Sequence, residues 1–186
     1  MNKLPLYFIA LIPAEPLKEQ INALKIKCSK SYQSDHALRS PPHITIIPPF
    51  NMNIENDKIV TELLVKFADH SSPFKIGLSG FGAFKPRVIY IKIKPNNILR
   101  EIQISLAEQF DMEINIPFQR HKPFRPHITV AFRDLSPEMF YKAWEKYKYE
   151  SFESTFAANS IFLLRHNGRS WDIANEFPFG ESVLPS

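Results

Sequence analysis

The chain has 186 residues, 44% of them hydrophobic, and its 23 basic against 19 acidic side chains leave a formal charge of +4. That length accommodates one domain or two closely packed lobes, and a small positive excess without a basic block mildly favours an anionic partner. The 16 prolines against 5 glycines argue against a glycine-rich phosphate cradle, because Gly77, Gly80 and Gly82 match the spacing of neither a dinucleotide fingerprint nor a P-loop. Any phosphate has to be held by side chains. One cysteine, Cys28, excludes a disulfide framework and a four-cysteine zinc site and suits a reducing compartment, so the expected location is the cytoplasm.

The apolar run from Leu4 to Ile12 is too short to span a membrane and reads as a buried strand, with a signal peptide as the lesser alternative. Pro16 can open a helix, after which Leu17, Ile21, Leu24 and Cys28 share one face to about Ser31. A polar loop over 34–40 leads to PPHITIIPPF, whose proline pairs predict a short strand of about five residues, since proline cannot continue a central ladder. A second helix over 56–70 would bury Ile59, Leu63, Leu64 and Phe67. FKIGLSGFGAF, with a bend that glycine permits, and RVIYIKIK predict a hairpin. A helix over 97–110 presents Ile98, Ile102, Leu106 and Phe110, followed by a loop over 115–124 and a second short strand, RPHITVAF. Ser136 as N-cap and Pro137 at the first position start a helix to about Tyr149. Strands near Phe156 to Arg165 and Trp171 to Phe179, with a turn over 166–169, end the pattern. One hairpin in each half predicts antiparallel sheets packed against helices, an α+β design.

Pro-His-Ile-Thr occurs twice, at 42–45 and 126–129, with its histidines 84 positions apart. Prolines 41, 42, 48, 49, 123 and 126 flank the two copies. In a strand, residues i and i+2 share a face, so His43 projects with Thr45 and His127 with Thr129. Two such strands side by side would bring two imidazoles and two hydroxyls to one cleft. One imidazole can take a proton while the other gives one, each step worth roughly 10² to 10⁴ in rate, and the hydroxyls can donate to phosphate oxygens. This arrangement needs no metal or cofactor. The alternative is a pair of structural strands with buried, hydrogen-bonded histidines.

The run FIALIP, PPHITI, FKIGLSGFGAFKPRVIYIKI and RPHITVAF resembles the 2H phosphoesterase superfamily, and most of all its 2'-5' RNA ligase-like branch, the RNA 2',3'-cyclic phosphodiesterases. The resemblance extends from about Leu6 to Phe132 and, less distinctly, through the final strands. It implies a bilobal α+β fold in which two pseudo-symmetric antiparallel sheets, with helices outside, face a central cleft carrying the two HxT motifs, residues 1–186 forming one such domain. By the same resemblance His43 is the acid for the departing 3'-oxygen, His127 the base for water, and Thr45 and Thr129 hold the phosphate. The product of a 2',3'-cyclic phosphate would be a 2'-phosphate, and acid and base could exchange roles in the ligating direction. This sequence departs from the family where Ile46-Ile47-Pro48-Pro49-Phe50 replaces an apolar pair and glycine, which affects the rim of the cleft.

Phe50 and Phe84 are candidates to stack on a base, against the simpler reading as core. Arg133, on a continued strand, would share the face of His127 and Thr129 and could contact phosphate. Arg125 and Lys122 read as parts of a basic loop. His36, His70, His121 and His166 show no metal spacing, and Cys28 reads as core. The expected partners are RNA ends or nucleotide 2',3'-cyclic phosphates, handled by a monomer off the membrane. Two alternatives stay open: a cleft that binds such phosphates without turnover, and a diesterase for 2'-5' oligonucleotides or a cyclic phosphate of ADP-ribose.

Overall fold

A computed structural model describes residues 4–53, 56–114 and 123–180. Its elements, in chain order, are β1 (Leu6–Leu11), α1 (Leu17–Tyr32), a short 3-10 turn (His36–Arg39), β2 (Ile44–Asn51), α2 (Asp57–Asp69), β3 (Phe74–Phe84) and β4 (Val88–Ile93). There follow α3 (Asn97–Ile114), β5 (His127–Ala131), α4 (Pro137–Tyr147), β6 (Glu153–Ala158), β7 (Ser160–His166) and β8 (Trp171–Pro178). All the strand pairs are antiparallel, in the order β6-β3-β4-β5-β2-β1-β7-β8. The order reads as two four-stranded halves, each with a motif strand at its inner edge. They are joined where Ile44 of β2 pairs with Ile128 of β5. The two expected sheets are thus one curled sheet with a seam between the motifs.

One apolar cluster contains residues of all four helices and of the strands they cover. The helices exchange sides: α1 packs beneath β5 and α3 beneath β2, so each motif strand is backed by a helix from the other half. The opposite face of the sheet carries a second, smaller cluster of Phe8, Ala10, Ile12 and Leu164. Alternation along β1 explains the division, since Tyr7, Ile9 and Leu11 take the helical side.

Several local expectations hold. Ser136 accepts the Met139 N–H at 3.2 Å and Pro137 opens α4. Gly80, at φ +58°, makes the bend in β3 where its register with β4 shifts. Cys28 is core, with its thiol pushed up to about 11 by burial and a hydrogen bond to Tyr147 acting in the opposite direction.

Others are corrected. Ile59 and Ile98 face solvent, and the buried stripes are Val60, Leu63, Leu64, Phe67 and Leu99, Ile102, Leu106, Phe110. A row spaced strictly by four overrotates about 40° per step, so its first member swings out of the interface. Pro48 and Pro49 do not end β2, which runs through them to Asn51 with a register irregularity against β1. They are exposed, and β2 pairs with β5 only at Ile44, so neither proline has to donate on that edge. The single strand expected near Phe156 to Arg165 is two: β6 joins β3 in one half, and beyond Asn159 β7 joins β1 in the other.

Candidate active site

Ile44 and Ile128 are fully buried, so the residues on either side of each, His43, Thr45, His127 and Thr129, take the opposite face of the sheet and are only partly buried. By register His43 stands across the seam from Thr129 and Thr45 from His127. The structure therefore brings together the four residues expected from the repeat.

Each imidazole is held in the same way. Nδ1 of His43 lies 2.7 Å from the Pro41 carbonyl, and Nδ1 of His127 lies 2.7 Å from the Arg125 carbonyl. A carbonyl can only accept, so Nδ1 carries the proton in both rings, and Nε2 is the atom left for chemistry. A ring fixed in this tautomer can act as base when neutral and as acid when charged.

Aromatic side chains wall both rings. Phe8 lies 4.8 Å from His43 between ring centroids, Trp171 meets Phe8 edge-on at 4.6 Å, and His166 follows at 4.9 Å from Trp171. On the other side Tyr90 and Phe84 lie 5.0 Å and 5.1 Å from His127 and 4.5 Å from each other. Tyr90 is the cross-strand partner of both Thr129 and Gly82. A Cβ at Gly82 would stand 2.5 Å from the Tyr90 ring, so the absent side chain is what lets the tyrosine lie across β3.

This apolar setting disfavours the imidazolium. Burial lowers His43 to about 4; the Pro41 carbonyl opposes the shift, while the charges of Lys25 and His127 add to it. His127 is also lowered by burial, against its bond to the Arg125 carbonyl.

Two expectations about neighbours are corrected. Phe50 is buried in the main core, against Phe110 at 5.6 Å and Tyr7 at 6.2 Å, and offers no platform to a base. The irregularity at Pro48-Pro49 resets the strand, after which Phe50 turns to the helical side. Arg133 is not on a continued strand: β5 ends at Ala131, and Arg133 has φ +67° with its guanidinium 5.1 Å over Phe132. Asp134 enforces this turn by accepting from Ser34 Oγ at 2.9 Å and from the backbone N–H groups of Asp35 and His36 at 2.9 Å and 2.8 Å. Arg133 then lies within electrostatic reach of His36, whose basicity is lowered by burial first and then by Arg133, Arg39 and His166. His121 and Lys122 lie outside the described residues.

A cavity of about 680 Å³ lies between the end of α2 and α3, lined by Lys66, His70, Ile98 and Glu101 among others. It includes no motif residue and does not mark the chemistry.

Comparison with known proteins agrees with the geometry. Residues 13–170 match the model of the 2'-5' RNA ligase superfamily. A protein of Oceanobacillus iheyensis named "Putative phosphoesterase" is 30% identical over 178 residues, covering 94% of this chain and 98% of its own. The chain belongs to the 2'-5' RNA ligase superfamily. In fold, this 2H phosphoesterase is similar to TT0787 of Thermus thermophilus, with TM-score 0.66 and 21% identity over 95% and 99% of the two chains. It is equally similar to E. coli LigT in a complex with 3'-AMP, with TM-score 0.66 and 20% identity over 96% and 99%.

Four neighbours of the 2H pair were not singled out from sequence: Phe8, Tyr90, Trp171 and Lys25. Tyr90 carried a local signal, since alternation in RVIYIKIK turns Tyr90 and Lys92 away from the buried isoleucines. Lys25 carried another, as a charge among the apolar positions of α1. Phe8 and Trp171 reach the site only through pairings remote in sequence.

Proposed function

We propose that this 2H phosphoesterase hydrolyses 2',3'-cyclic phosphates of RNA ends or small nucleotides to 2'-phosphates, by two-histidine acid and base catalysis without a metal ion. The observation that carries the reading is the matched pair of Nδ1-to-carbonyl bonds on the two strands joined at Ile44 and Ile128. Both rings keep Nε2 for proton transfer, and the threonines stand beside them to donate to the non-bridging oxygens.

In the hydrolytic direction one histidine takes a proton from water as its oxygen bonds to phosphorus. The bond from phosphorus to the 3'-oxygen breaks, and the other histidine protonates that oxygen. The family resemblance gives the donor role to His43 and the acceptor role to His127. An anionic phosphate bound beside the rings is a counter-charge for an imidazolium, and so favours one proton on the pair. Arg133, next to His36, is a candidate to contact a phosphate oxygen. That E. coli LigT has been crystallised with 3'-AMP and with ATP supports a nucleotide-sized ligand. The protein acts, on this reading, as one bilobal domain and as a monomer in the cytoplasm.

The test is hydrolysis of a panel of 2',3'-cyclic nucleotides, 2'-5' dinucleotides and an ADP-ribose cyclic phosphate in EDTA. The cyclic nucleotides should yield 2'-phosphates, and His43→Ala and His127→Ala should each lose roughly 10²-fold or more. Activity abolished by EDTA, or retained in either variant, would sink the mechanism. Tight binding of a 2'-phosphorylated nucleotide with no turnover of any substrate would show a binding module instead.

A further inference from the structure

Lys25 is the one charged side chain in the buried set among the described residues, at 2% exposure. It lies on the core-facing side of α1 with Ile21 and Cys28, and no carboxylate among the described residues pairs with it. Its Nζ donates to the Ser40 carbonyl at 2.6 Å. A methionine would fill this place without the cost of desolvating a charge. What the lysine adds is that bond and that charge.

Both bear on His43. The carbonyl that Lys25 holds is one residue before the Pro41 carbonyl that holds the His43 ring. Pro41 and Pro42 restrict the chain between, so a fixed Ser40 is transmitted to the imidazole and not absorbed by free rotation. The charged or titratable groups that act on His43 are Lys25 from α1 and His127 from β5, while Phe8 of β1 covers it with an uncharged ring. Among the described residues no buried charge stands behind His127 in the same way.

We propose that Lys25 is a positioning residue for His43: an ammonium buried on the core side of α1 that pins Ser40 in the segment leading into β2, and through the two prolines orients one histidine of the pair and not the other. Its effect on turnover rests on the phosphodiesterase reading; its effect on the ring does not.

The experiment combines NMR titration of the histidine ring protons with pH profiles of 2',3'-cyclic nucleotide hydrolysis, in the wild type and in Lys25→Met, Lys25→Gln and Lys25→Arg. Lys25→Met should raise the His43 midpoint on the order of half a unit, the scale of one charge acting over a few ångströms, and move His127 much less. It should lower kcat roughly ten- to a hundredfold with KM little changed, as a displaced proton-transfer group does. Lys25→Gln keeps a donor to Ser40 without the charge, so it should recover rate but not midpoint. Lys25→Arg should keep the midpoint. The limb of the profile that moves up in Lys25→Met reads the role of His43: the alkaline limb for a proton donor, the acid limb for an acceptor. An unmoved His43 midpoint in both uncharged variants, with kcat unchanged, would overturn the proposal. If the wild type hydrolyses nothing, the phosphodiesterase reading fails while the titration still decides Lys25.

Discussion

Ile44 on β2 and Ile128 on β5 face each other at the pair that joins the two halves of the sheet, and each stands between the histidine and the threonine of its own motif. The buried isoleucines are therefore the ruler that sets one motif against the other. Truncating either to alanine should cost about 2–5 kcal/mol, the range for a large side chain in a closed core. The milder Ile44→Val should cost about 1 kcal/mol and still lower kcat, because the seam has no other rung to restore register. Urea unfolding with single-turnover rates checks this; unchanged kcat in folded Ile44→Val would show that the cleft does not depend on the seam.

Both imidazoles resist protonation because they are buried, His43 down to about 4 from an ordinary 6.5. On the proposed two-histidine reading the competent free enzyme carries one proton on the pair, so kcat/KM should peak on the acid side of 6.5 and fall as pH rises through its alkaline limb. The kcat profile, set in the complex, should lie at higher pH because the bound anion favours the imidazolium. Superimposable profiles would refute this.

Stability follows from the same shifts. Unfolding frees both rings to bind protons near the ordinary value, so the folded state binds fewer protons below it. The stability tied to these neutral histidines is complete above 6.5 and is lost as pH falls from there towards about 4. Replacing both histidines with glutamine should flatten that part of the curve in urea titrations.

Gly82→Ala tests the packing behind His127. Its Cβ would collide with the Tyr90 ring and displace the wall shared by Phe84 and His127. Activity should fall more than stability. Adding Tyr90→Ser should relieve the clash, so the double variant should be more stable than the sum of the single changes implies. Strict additivity would mean that Tyr90 moves aside freely.

Asp134 binds three groups from the segment before the first motif. Asp134→Ala would leave the O–H of Ser34, fully buried, and two backbone N–H donors without their acceptor, though Ser34 Oγ still accepts from the Phe132 N–H, at a cost of about 1–3 kcal/mol for each donor that water cannot reach. The variant should also raise KM more than it lowers kcat, since His36 and Arg133 lose their placement while the two motif histidines keep their own carbonyls. A KM unchanged in a folded variant would remove these residues from substrate binding.

Much of the site was legible because its signals are local. His43 and Thr45 share a face through strand alternation alone, and the same holds for His127 and Thr129. Ser136 announced its helix through a cap that bonds three residues on. The misread residues are ones whose side is set elsewhere. Ile59 and Ile98 are apolar and well spaced, yet rotation of the helix against its sheet puts Val60 and Leu99 inside. Arg133 obeyed alternation on paper, but a carboxylate bound to Ser34, 100 residues away, bends the chain first.

The amino-acid order by itself determined two stiffened strands, each presenting an imidazole and a hydroxyl on one side, and argued against a glycine-rich backbone loop as the means of holding phosphate. Those properties depend on φ and ψ preferences and on neighbours within a few residues. Tertiary structure alone decided that the strands meet at Ile44 and Ile128, that the segment around Asn159 sends β6 and β7 to opposite halves, and that Lys25, Phe8 and Tyr90 surround the rings. Such pairings join residues many positions apart, and they are selected by which apolar faces close together into one core, a choice that no local periodicity records.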